Sequence, residues 1–112
     1  MAIQVSLNTS ANPPVTVQPP IHDVNNGNQT IKWERASNQT FTFTSLSGLP
    51  NPPFSSPSVS ATEISVVDNN QNNGPAIYYP YTIIVTQNGV QYSSSVAFKI
   101  TDQDSGPTIK NK

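Results

Sequence analysis

The chain contains no cysteine, which excludes disulfides, thiol catalysis and thiolate metal sites. It has one histidine, His22, and one methionine, Met1. A blue-copper centre needs two His and a Cys with a weak axial ligand, and a catalytic zinc centre takes two or three His, so neither can be assembled. Charge is scarce too: five basic and six acidic residues give a net −1 over 112 residues. No basic patch could neutralise a row of phosphates, so nucleic acid is not an expected partner. No apolar run approaches the roughly 20 residues of a spanning helix, so no membrane partner is expected. Met1 to Ser6 lack the charged and apolar parts of a signal peptide, and the composition fits a cytoplasmic or a surface protein equally.

Helical patterning is the remaining absence. Eleven prolines run from Pro13 to Pro107, and no window places apolar residues at helical spacing over three turns. Asn, Gln, Ser and Thr supply about two-fifths of the chain while charged residues supply 10%, a balance that can accompany disorder. Alternation of period two argues for folded strands instead. Ile3, Val5 and Leu7 alternate with Gln4 and Ser6, and Val15 and Val17 follow after Pro13-Pro14. A turn-rich stretch from Asp23 to Asn28 precedes a strand in which Ile31 and Trp33 point one way and Lys32 and Glu34 the other. Phe41 and Phe43 alternate with threonines, a proline-rich loop spans Leu49 to Pro57, and Ile64 and Val66 lie in a strand ending near Asp68. His22 reads as a loop residue on the surface.

The firmest local signal is a hairpin. Asn88-Gly89 is the preferred pair for a two-residue type I′ turn. That turn sets Gln87 opposite Val90, Val85 opposite Tyr92, Ile83 opposite Ser94, Tyr81 opposite Val96, Tyr79 opposite Phe98 and Ile77 opposite Ile100. The apolar faces coincide, and a slip of one residue would separate them. Pro80 has no N–H to give, so the strand from Ile77 to Gln87 is expected to be an edge or to carry a bulge there. A last short strand is expected at Pro107-Thr108-Ile109. Seven to eight strands in one domain, residues 1–112, predict an all-β fold: an antiparallel two-sheet sandwich, immunoglobulin-like or cupredoxin-like. Its core is expected to hold Trp33, Phe41, Phe43, Ile64, Val66, Tyr79, Tyr81, Ile83, Val85, Val96 and Phe98.

Few residues suggest chemistry. Asp68 to Gly74 resembles a calcium loop only superficially, because Asn73 stands where such a loop needs glycine and no glutamate closes it. Asp68, Asp102 and Asp104 are the calcium candidates, with solvated turn residues as the plainer expectation. No nucleophile elbow accompanies any serine, and no spacing pairs two of the six carboxylates for acid–base work. No cofactor is called for. Tyr78, Pro80, Ile84 and Ala97 fall on the outward side of their strands, which would leave a half-apolar face for a second copy, a protein partner or a glycan.

The order Gln29-Thr30-Ile31-Lys32-Trp33, then Phe41-Thr42-Phe43, then Val66-Val67-Asp68-Asn69-Asn70, then Tyr78-Tyr79-Pro80-Tyr81-Thr82-Ile83-Ile84-Val85-Thr86 and finally Gly106-Pro107-Thr108-Ile109-Lys110-Asn111 resembles a loose group of small uncharacterised bacterial β-sandwich proteins. These are similar to cupredoxin-like or immunoglobulin-like sandwiches without a metal. The resemblance implies the sandwich fold and a bacterial source, and carries no active site. Gly106 stands where the group has Asp. Together these readings predict a non-enzymatic domain acting by binding or self-assembly. A carbohydrate-binding module, with or without calcium, is the alternative, and a hydrolase with a carboxylate pair comes third.

Overall fold

A computed structural model describes residues 2–94 and 107–112. Every regular element in it is a strand: β1 (Ile3–Leu7), β2 (Val15–Gln18), β3 (Ile21–Val24), β4 (Gly27–Arg35), β5 (Thr42–Ser47), β6 (Ser58–Val59), β7 (Glu63–Asn70), β8 (Ile77–Pro80), β9 (Thr82–Gln87), β10 (Val90–Ser93) and β11 (Thr108–Asn111). They form three open sheets, in the orders β2-β1-β4-β7-β6, β10-β9-β5 and β3-β11-β8. The all-β class is as expected. The number of strands is higher than seven or eight among the described residues alone. The pairing is mixed rather than wholly antiparallel, because β1 runs parallel to β4 and β11 parallel to β3.

Period-two alternation builds these strands. Ile3, Val5, Val15, Val17, Ile31, Trp33, Ile64 and Val66 are buried while their neighbours face out, giving the first sheet one apolar side. Phe43, Leu46, Ile83 and Val85 from the second sheet, and Val24 and Ile109 from the third, join the same core cluster. Of the expected core, Trp33, Phe41, Phe43, Ile64, Val66, Tyr81, Ile83 and Val85 are buried, and Tyr79 packs at the margin. Val96 and Phe98 lie outside the described residues. Phe54, fully buried, comes from the proline-rich loop, where its bridge to Asp68 and its edge-on contact with Tyr79, 5.0 Å between centroids, hold it.

The hairpin has the expected register: Gln87 opposite Val90, Val85 opposite Tyr92, and Ser94 N–H donating to Ile83 O at 2.9 Å. Asn88 (φ 54°) and Gly89 (φ 77°) are both left-handed, as a type I′ turn requires. The onward pairings with Val96, Phe98 and Ile100 lie outside the described residues.

Pro80 marks an interruption, and its form is a change of sheet. β8 pairs antiparallel with β11 up to Pro80 opposite Thr108. Tyr81 N–H then donates to Pro107 O at 3.0 Å, and β9 continues between β5 and β10 in another sheet. Gly48 makes the crossing feasible. At φ +101°, it lies so close that a Cβ there would sit 2.9 Å from Pro80 O and 3.2 Å from Tyr81 Cα.

Several turn assignments need correction. Asp23 and Val24 belong to β3, and β4 starts at Gly27, because Gly27 to Thr30 pair with Val67 to Asn70. His22 is a half-buried strand residue of β3, not a loop residue. Desolvation lowers its pKa from the ordinary value, against the pull of nearby Asp23. β7 runs on to Asn70, so Asp68 is no solvated turn residue: its side chain is wholly buried.

Candidate functional site

Among the described residues, two groups of polar or exposed side chains are candidates for a site. The first is at the end of β7. Period two continues past Val66, so Ile64, Val66, Asp68 and Asn70 all face inward. Asn70 Nδ2 donates to Val24 O at 2.9 Å and Lys112 O at 3.1 Å. Asn26 Nδ2 donates to Asn72 O at 2.9 Å and to Lys112 O at 3.3 Å. Asn72 Nδ2 donates to Asn111 O at 3.2 Å, while its Oδ1 accepts from Gly74 N–H at 3.1 Å. Asn111 Nδ2 reaches across to Asp68 Oδ1 at 3.1 Å. The asparagines that looked like loop filler thus satisfy backbone groups where β3, β7 and β11 all end.

A cleft of about 270 Å³ opens beside this network. Pro52, Pro53, Ile77 and Tyr79 line it together with amide side chains that include Asn69, Gln71 and Asn72. Asn69 and Gln71 are exposed, and no described side-chain contact engages their amides. An aromatic ring beside free amides can stack on and hydrogen-bond a ligand rich in hydroxyls.

The second place is the outward face of β3-β11-β8. The register sets Ile21, Thr108 and Pro80 in one row and Asp23, Lys110 and Tyr78 in the next. Tyr78 is 55% exposed and Ile21 50%, with buried Thr108 between the two outer strands. Lys110 Nζ lies 5.6 Å from the Tyr78 ring centroid, and Asp23 pairs with Lys112 at 3.3 Å. Of the four residues expected to form one surface, Tyr78 and Pro80 share this face. Ile84 is half-buried on β9 in a different sheet, between Ser45 and Ser93. Ala97 lies outside the described residues, as do Asp102 and Asp104, so the calcium trio reduces here to Asp68. Among the described residues no three His, Asp or Glu side chains gather in a way that could hold a metal ion.

The register also sets Glu34 directly opposite Glu63 on the outward side of β4 and β7, a pairing that spacing did not reveal. Lys32 Nζ, 3.8 Å from Glu63, offsets part of that repulsion. Sequence reasoning also missed Ile21, Asn26, Asn70 and Asn111. The continued alternation Ile64-Val66-Asp68-Asn70 could have placed Asn70. Nothing local could have found the others, because their partners are 39 to 86 residues away or, for Ile21, on another strand.

No family model, no curated protein and no solved structure matches this chain.

Proposed function

We propose that the chain is a β-sandwich domain of immunoglobulin-like or cupredoxin-like type that acts by binding, without catalysis, and that its partner surface is the outward face of β3-β11-β8. The three sheets sharing one core support a sandwich. The observation that carries the binding reading is the exposed set Tyr78 and Pro80 on β8 and Ile21 on β3, which flanks Lys110 of the central strand on a regular sheet face, with Asp23 on the outer strand opposite Tyr78. Exposed aromatic side chains are enriched in protein contacts relative to the rest of a surface. Because charges of both signs lie in one row, the face can pair with a second copy of itself. Sedimentation velocity over a rising concentration series tests this. The expected result is a dimer that Tyr78→Ser and Ile21→Asn each reduce to monomer. A monomer throughout would sink self-association.

A second reading rests on the cleft. Tyr79 and the exposed amides of Asn69 and Gln71 favour a glycan there. A glycan array blank with and without calcium would remove it.

A further inference from the structure

Asp68 and Asn111 meet from different sheets, and between them only half of the hydrogen bonding is complete. Asn111 Nδ2 donates to Asp68 Oδ1 at 3.1 Å. The other two oxygens, Asp68 Oδ2 and Asn111 Oδ1, are buried with no donor in reach among the described residues. The residues are 0% and 2% exposed, so bulk water does not serve them. An ionised Asp68 would leave two acceptors buried and unanswered, which is the costly case. One proton answers both. Placed on Oδ2, it donates to Asn111 Oδ1 and closes a ring in which acid and amide each give and accept one hydrogen bond.

We propose that Asp68 is held as the neutral carboxylic acid in the folded chain, its Oδ2–H donating to Asn111 Oδ1, and that this proton latches β11 to β7. The surroundings agree. Burial is the larger influence on the Asp68 carboxyl and pushes its pKa up, and the Asn111 N–H opposes it more weakly. Among the described residues, the elements around the pair bring it no charge. β4 sets Gln29 opposite Asp68, the loop before β6 sets Phe54 there, and β8 adds half-buried Tyr79 behind Phe54. On β3, Asp23 is paired with Lys112, and His22 is held toward its neutral form. Lys110 of β11 lies over Tyr78, and at the far end of β7 Glu63 pairs with Lys32, two residues before Glu34 and three before Arg35 of β4. A calcium ion wants six to eight oxygens, and two are offered.

The latch responds to pH in one direction. A carboxyl whose folded-state pKa is raised adds stability that is complete below its unfolded value and is lost as pH rises through the folded value. Asp68→Asn isolates this, because an amide at position 68 supplies an N–H where the acid supplied O–H, at any pH. The test joins a ¹³C carboxyl titration of Asp68 by NMR to thermal unfolding of both chains across pH, with and without calcium. The Asp68 signal should titrate above the ordinary aspartate range. The Tm of Asp68→Asn minus that of the native chain should grow as pH rises through that midpoint, while His22, titrating in both, cancels. A carboxyl that titrates in or below the ordinary range overturns the proposal, even if the variant does not fold. So does a Tm difference that is flat with pH, or a calcium-dependent rise in Tm confined to the native chain, which would put a cation between the oxygens.

Discussion

Removing a single oxygen from Tyr81 should cost more than its size suggests. Trp33 Nε1–H donates to the Tyr81 hydroxyl at 2.9 Å, and both side chains are buried. Their rings meet edge-on, 5.3 Å between centroids at 72°. Tyr81→Phe keeps that ring contact and the packing, and takes away only the acceptor. The indole N–H is then left buried without a partner, which costs about 1–3 kcal/mol. For a chain of this length that lowers Tm by about 4–12 °C. Trp33 is the sole tryptophan, so its fluorescence reports the transition directly. In urea the midpoint should fall with the slope unchanged, as for a pure loss of stability. Burial also pushes the Tyr81 hydroxyl pKa up, so the native chain should lose stability above about pH 10, where the unfolded tyrosine ionises, more steeply than Tyr81→Phe does. If Tyr81→Phe unfolded within about 0.3 kcal/mol of the native chain, the indole would have another acceptor, and the hydrogen bond would not be what joins the first sheet to the turn at Pro80.

Other substitutions separate structural from superficial contacts. Gly48→Ala should lower stability by about 1–3 kcal/mol in chemical denaturation, because a side chain there meets both a positive φ and the Pro80 carbonyl. Asn70→Ala removes the donors to Val24 O and Lys112 O, and about 1–3 kcal/mol should be lost, with faster amide exchange at β3 and β11. Lys32→Ala breaks an exposed ion pair and should shift stability by under about 1 kcal/mol, less in high salt.

Much of the fold is written in local alternation. The β9–β10 hairpin could be read in register because Asn88-Gly89 and two apolar faces fix it together. The strands carrying Ile3, Val15, Ile31 and Ile64 were legible for the same reason. What escaped reading depends on distant partners. β3 contains His22 and Asp23 and shows no alternation of its own; it is a strand because β11 pairs with it from 87 positions along, Thr108 opposite Ile21. Pro80 announced an interruption, but whether a bulge or a change of sheet followed was decided by β11 and Gly48. Facing alone put Tyr78 and Pro80 on one outward face, where they lie, whereas Ile84 faces out on another sheet. Asp68 was misplaced because a polar residue normally ends a strand, and only a buried partner, Asn111, reverses that preference.

The claim that the outward face of β3-β11-β8 is a contact surface is tested most directly by ¹H–¹⁵N spectra of the native chain recorded over increasing concentration. The account predicts shifts that grow with concentration at Ile21–Val24, Ile77–Tyr79 and Thr108–Asn111, that leave the Asn88-Gly89 turn unmoved, and that vanish in Tyr78→Ser. Spectra that do not change with concentration, or that change only at the turn, would contradict it.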